Sequence, residues 1–183
     1  MDRVKILNNN KVLKIVSILI LGSLLLTISA KIKIPFYPVP MTMQTFVVIF
    51  LGLAFGSKLA TATVGLYLIE GLIGLPVFSN SPEKGVGLVY FTGPTMGYLI
   101  GFLFAAFFAG YLNFKTNLFV IFLKLILSVF FIYLFGIVWL GILIGWEKPI
   151  FKLGFFPFIY AELFKILLLT ILTSKVIKIR KFI

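Results

Sequence analysis

The chain has 183 residues, 61% of them hydrophobic, and a mean hydropathy of +1.18. Soluble globular domains are roughly 45–50% apolar, and several apolar runs here reach the ~20 residues that cross a bilayer, so the sequence predicts a single-domain, all-α polytopic membrane protein. The net charge is +12 with no cysteine and no histidine, which excludes disulfides, thiolate and imidazole metal centres and Ser–His or Cys–His catalysis.

The basic residues sit at chain ends and loop edges. They read as topology and lipid-headgroup signals, not as a nucleic-acid surface. No A-x-A cleavage pattern follows the first apolar run, so it is expected to stay as a helix.

Six membrane helices are expected, at about 12–30, 42–56, 59–74, 94–112, 118–145 and 155–176. Helix 1 follows a basic lead with Arg3, Lys5, Lys11 and Lys14, and places Gly22, Ser23, Thr27 and Ala30 for close packing. Residues 31–41, KIKIPFYPVPM, cannot be helical, because Pro35, Pro38 and Pro40 force extended or turn geometry. They form a lid-like loop. Helices 2 and 3 flank a tight turn at Ser57 and Lys58, and both are short for a full crossing. The loop after helix 3 breaks at Gly74-Leu75-Pro76, carries a polar patch of Ser79, Asn80, Ser81, Pro82, Glu83 and Lys84, and breaks again at Gly93-Pro94-Thr95. Helix 4 opens with Pro94 in its first turn. Its Gly97, Gly101, Ala105, Ala106, Ala109 and Gly110 form a small-residue face. Helix 5 carries Lys124 at one end, with Trp139 and Trp146 toward the other, as an interface belt requires. Helix 6 precedes a basic tail. Six spans put both termini on one side, which collects Arg3, Lys5, Lys11, Lys14, Lys58, Lys115, Lys124, Lys175, Lys178, Arg180 and Lys181. The positive-inside rule makes that side cytoplasmic.

Five acids occur: Asp2, Glu70, Glu83, Glu147 and Glu162. Glu162 and Lys165 fall inside helix 6. A charge at the centre of a membrane helix costs about 2.5–3.5 kcal/mol on insertion scales, so the pair is a functional candidate. Their i, i+3 spacing puts them on one face. Two readings follow: a structural pair that satisfies itself, or a polar spot for a ligand bearing a urea, amide or acid group. Gln44 and Tyr67 add donors and acceptors, either for that ligand or for interhelical bonding. Glu70 is a further edge charge, either buried or at the outer interface. Phe36, Phe78 and Phe91 are candidate ligand walls. There is no phosphate-binding loop, no acid ring or repeated filter sequence, and no nucleophile–base set, so the chain reads neither as an ATPase nor as a channel nor as an enzyme.

Several segments together resemble the biotin-specific S component (BioY) family of energy-coupling factor transporters. They are Pro40-Met41-Thr42-Met43-Gln44-Thr45; Tyr67 with Gly71, Gly74, Leu75, Pro76, Val77 and Phe78; Gly93-Pro94-Thr95-Met96-Gly97-Tyr98-Leu99; Tyr133, Gly136 and Trp139; and Gly154, Pro157 and Phe158 before Glu162 and Lys165. The family aspartate is Glu162 here, Tyr160-Ala161 replaces its Pro-Gly, and Met96 replaces a glycine. The resemblance implies a six-helix S-component fold in the cell membrane that captures biotin outside and delivers it inward. It also implies a transmembrane coupling protein and two ATPase subunits as partners, with biotin as transported ligand and no cofactor or metal. Gln44, Tyr67, Phe78, Asn80, Tyr98, Glu162 and Lys165 are the implied substrate contacts. Glu162 and Lys165 are the candidates for the ureido ring. A membrane scaffold with a structural Glu162–Lys165 pair, an S component for another vitamin, and a homo-oligomer remain open on the residues.

Overall fold

The computed structural model describes residues 2–114 and 116–182, with side chains for 11–114 and 116–181. The side chains of Arg3 and Lys5, and Lys115 altogether, which entered the charge count above, lie outside the described residues. Helix α1 runs Asp2–Lys31 and stops where the proline-bearing loop begins. Its buried residues, Gly22, Ser23, Leu26, Ser29 and Ala30, form one stripe at helical spacing. The rest of its apolar surface is exposed, from Val12 to Ile28.

Two short strands follow, β1 (Lys33–Ile34) and β2 (Met41–Thr42). They pair antiparallel, Lys33 opposite Thr42 and Ile34 opposite Met41, so the prolines occupy the loop between them.

Helix α2 spans Gln44–Leu72 but is broken at Gly56, where φ is 79° and ψ is 171°. That region is essentially restricted to glycine. In a straight helix, Gln44 and Tyr67 would stand about 35 Å apart at 1.5 Å per residue. Instead Gln44 Nε2 lies 2.8 Å from Tyr67 Oη. The chain therefore doubles back at Gly56, and the two arms of α2 lie side by side. The arms occupy the places of the expected helices 42–56 and 59–74.

Helix α3 (Leu88–Phe91) and helix α4 (Met96–Tyr111) come next. The helix expected from Pro94 begins two residues later, at Met96. Residues 93–95 form a turn instead, held by a bond from Trp139 Nε1 to the Gly93 carbonyl at 2.9 Å. The small-residue face of α4 is used on two sides. A Cβ on Gly101 would lie 2.6 Å from Ile132 Cα in α5, and one on Gly52 would lie 2.6 Å from the Ala109 side chain. Helix α4 is thus clamped between α5 and the first arm of α2.

Helix α5 runs Leu118–Ile144, with Asn117 accepting from Val120 N at its start. Helix α6 (Ile150–Gly154), a 3₁₀ turn (Phe156–Phe158), helix α7 (Ile159–Val176) and a 3₁₀ tail (Ile177–Phe182) complete the chain. The segment 150–154, expected as loop, is helical. The last helix, expected from Phe155, starts at Ile159. Phe155 leaves helical geometry (φ −134°, ψ −61°), and Pro157 has no N–H to continue the ladder. Four helices are long and apolar enough to cross a membrane by length and composition: Lys11–Lys31, Gln44–Leu72, Leu118–Ile144 and Ile150–Lys181. Met96–Tyr111 is a shorter apolar helix.

Candidate functional site

The start of α2 and the first turns of α7 meet beneath the β1–β2 ribbon. Glu162 and Lys165 are each 6% exposed, so the bilayer-facing part of α7 turns its charges inward. Lys165 Nζ lies 2.7 Å from Glu162 Oε1. It also donates to the Thr42 carbonyl at 2.6 Å and to Thr45 Oγ1 at 3.0 Å. An ammonium has three donors, so the protein supplies one acceptor for each. Thr45 Oγ1 in turn donates to Glu162 Oε1 at 2.8 Å. Among the described residues, the bonds to this carboxylate fall on Oε1.

A second polar chain runs alongside. Gln44 Nε2 donates to Tyr67 Oη, and Tyr67 Oη donates to the Val77 carbonyl at 3.2 Å. Thr42 Oγ1 and Gln44 Oε1 are 3.3 Å apart. These bonds fix which end of the Gln44 amide faces which neighbour. Tyr67 is fully buried, and its ring meets Phe78 edge-on at 5.3 Å between centroids. Phe78 in turn stacks on Tyr90 at 4.7 Å.

Between these groups lies a cavity of about 50 Å³. Val39, Pro40, Met41 and Thr42 roof it; Gln44, Thr45 and Glu162 form its polar side; Phe78, Ser79 and Tyr90 form the opposite wall. Tyr98, Leu99, Phe102, Ile132, Tyr133 and Phe158 close the apolar end. The Tyr98 hydroxyl is turned outward from that wall, donating to the Gly154 carbonyl at 2.8 Å. Tyr98 therefore presents its ring to the cavity and ties α4 to the end of α6.

Of the seven residues singled out from the sequence, Gln44, Phe78, Tyr98 and Glu162 line this cavity. Tyr67 stands behind it, supporting Gln44. Asn80 borders a neighbouring space of about 20 Å³ with Lys84, Tyr90 and Thr95. Lys165 borders a different cavity, of about 250 Å³, on the outer side of the Thr42 main chain with Phe46, Phe164 and Leu168. Glu70 accepts a hydrogen bond from Ser23 Oγ of α1 and stays outside the cavity. Sequence reasoning did not single out Thr45, Tyr90, Tyr133 or Phe158 as site residues. Thr45 adjoins Gln44 in a segment already noted, but a threonine in a membrane helix ordinarily bonds its own backbone, so only the tertiary fold reveals its link to Glu162.

A space of ~50 Å³ holds a few waters. Ligand pockets for small organic molecules run from about 300 Å³ upward. The lining must therefore rearrange before a molecule of that size reaches Glu162.

Comparison with known proteins gives one family. Residues 4–182 match the model described as the BioY family. A protein of Pyrococcus horikoshii named a probable biotin transporter BioY is 37% identical over 152 residues, covering 83% of this chain and 89% of that one. The biotin transporter BioY of Thermotoga maritima is 34% identical over 156 residues, covering 85% and 90%. Among solved structures, the S-component for biotin from an ECF-type ABC transporter superposes with a TM-score of 0.77 at 27% identity, covering 93% of this chain and 94% of that one.

Proposed function

The chain belongs to the BioY family, and from that premise we propose that it is the substrate-binding membrane subunit of a biotin uptake system rather than an enzyme. It captures biotin at the outer face and releases it inward when driven by a transmembrane coupling protein and two ATPase subunits. The observation that carries this reading is the buried Glu162 carboxylate, held at Oε1 by Lys165 and Thr45 and lining a small cavity together with Gln44 and Phe78.

Biotin's ureido ring has two N–H donors and one carbonyl. The Glu162 carboxylate suits an N–H, and the Gln44 amide suits either partner. Phe78, Tyr98, Phe102 and Phe158 suit the apolar bicyclic body. Asn80, at the mouth, suits the carboxylate end. Lys165 has all three donors occupied within the protein. That observation favours a holding role for it, keeping the Glu162 carboxylate aimed, over direct ligand contact.

The reversal at Gly56 supports reading α2 as two crossings, giving six in all with both termini in the cytoplasm of a cell-membrane protein. On that reading Lys58, Lys175, Lys178, Arg180 and Lys181 share the cytoplasmic side, and the roofed cavity faces out. Titration calorimetry of the purified protein with biotin tests the assignment. Glu162→Ala is expected to weaken binding at least about tenfold, the worth of one hydrogen bond to a charged group. Absence of binding by the unaltered protein at micromolar biotin would sink the substrate assignment; unchanged affinity in Glu162→Ala would sink the site.

A further inference from the structure

The roof of the cavity is fastened to the opposite wall by two lysines. Lys31, the last residue of α1, donates to the Phe78 carbonyl at 2.7 Å and to the Ser81 carbonyl at 2.8 Å. Lys33, in β1, donates to the Ser79 carbonyl at 2.6 Å and to Asn80 Oδ1 at 3.0 Å. Phe78 and Ser79 line the cavity from one side, and the strand paired with β1 lines it from the other. The seam made by the two ammoniums therefore runs along the cavity mouth.

Besides the two lysines, one cation–π contact joins these loops, with Lys84 Nζ 5.8 Å from the centroid of the Tyr37 ring. The ribbon has two residues per strand, far too short to be stable by itself. At the loop tip, Tyr37 is 83% exposed and Phe36 makes an edge contact with Phe158. In the 78–81 loop, three of the four acceptors are main-chain carbonyls, bound by lysines in place of any strand partner. Charge-assisted bonds of this kind are stronger than neutral ones, and here they join two irregular segments.

We propose that Lys31 and Lys33 form a latch that sets how fast ligand enters and leaves the cavity. Both are positioning residues: they hold the roof against the 78–81 loop and do not touch the ligand. This rests on the biotin-binding reading above. Because the seam must part for passage in either direction, loosening it speeds association and dissociation together and leaves the equilibrium constant nearly unchanged.

The test is exchange kinetics on the detergent-purified protein preloaded with radiolabelled biotin and chased with excess unlabelled biotin. Dissociation is expected to quicken about tenfold in Lys31→Met and in Lys33→Met, and about a hundredfold in the double variant, taking partly exposed charge-assisted bonds at the lower end of their range. Lys33→Arg keeps the charge and the donors, and is expected to restore the rate to within about threefold of the unaltered protein. The same measurements with biotin amide separate this from direct recognition of the ligand carboxylate. A latch quickens exchange of the acid and the amide alike, whereas a loss of affinity confined to the acid would overturn the proposal. An unchanged dissociation rate in a Lys33→Met protein that still binds biotin would also overturn it. Lys33 is exposed, so its substitution leaves the core intact and carries the test even if Lys31→Met does not fold. Failure of the unaltered protein to bind biotin counts against the proposed function, not against the latch.

Discussion

Replacing Lys165 with methionine separates the duties of the buried ion pair. The side chain is nearly isosteric and its stem lies among Phe46, Phe164 and Leu168, so packing is largely kept. What is lost is one ammonium and three hydrogen bonds, to Glu162, Thr45 and the Thr42 carbonyl. Removing one partner of a buried ion pair costs about 3–5 kcal/mol, because the other charge is left without compensation. The Thr42 carbonyl then loses its lysine donor as well, so a value near the upper end, about 5 kcal/mol, is expected. Adding Glu162→Gln removes the stranded charge. The double variant should therefore recover about 2 kcal/mol or more relative to the sum of the single changes, within the range of coupling for contacting residues. Equilibrium unfolding in mixed micelles titrated with SDS measures all four corners of this cycle. A loss under about 1 kcal/mol for Lys165→Met, the size of an exposed pair, would refute the reasoning. So would strict additivity, since it would mean that the two groups do not act as a unit.

Two further outcomes follow from the packing. A side chain at Gly56 would touch nothing within 4 Å, yet φ is +79° there; Gly56→Ala is thus expected to cost about 1–3 kcal/mol through the backbone alone. A Cβ on Gly110 would run into the main chain of Gly56 and Ser57, which cannot rotate away, so Gly110→Ala should destabilise at least as much, both being read by the same SDS titration. Arg180 donates to the carbonyls of Leu53 at 2.8 Å, Gly52 at 2.9 Å and Gly110 at 3.1 Å, near the C-terminal ends of the first α2 arm and α4. Arg180→Gln should release the 177–182 tail, seen as lost hydrogen-exchange protection there with little change in α5; uniform loss across both would contradict a local staple.

The membrane class and the polar positions of α7 could be read from the sequence, because hydropathy and the i, i+3 spacing of Glu162 and Lys165 are local properties. The small-residue face of α4 was legible for the same reason, although which helix meets Gly101 and which meets Ala109 was not. The break at 56 was visible as Gly-Ser-Lys between two short apolar runs. The late start of α7 was partly legible in Pro157, which has no N–H to continue a helix, whereas the bond from Tyr98 to the Gly154 carbonyl, 56 residues away along the chain, leaves no local trace. The seam at Lys31 and Lys33 was equally hidden. Alternating lysines at a helix end read as interface anchors, and their acceptors are main-chain atoms, which leave no trace in a side-chain pattern. The split between Glu162 and Lys165, one facing the cavity and the other turned to its outer side, arises because β2 passes between the cavity and Lys165, and no local rule predicts that.

This arrangement has a consequence for how capture and closure are linked. Lys165 bonds at once to Thr42 in the roof, Thr45 at the start of α2, and Glu162 on α7. The distance between roof and carboxylate is therefore set by a single ammonium and not by the ligand. Any movement that carries Thr42 away strips Lys165 of one acceptor, and in an apolar surrounding an unmet charged donor is costly. Opening is thus resisted from two sides, by Lys165 below the roof and by Lys31 and Lys33 along its edge. The two differ in kind. The edge lysines are partly exposed, so water can replace their acceptors as the seam parts. Lys165 is only 6% exposed, so replacing its acceptors with water costs more. The edge should accordingly yield first, with the Thr42–Lys165 bond persisting as the hinge. Hydrogen exchange can order these events: the amides of residues 79–81 should exchange faster than those of residues 43–46. The reverse order would place the hinge at the edge instead.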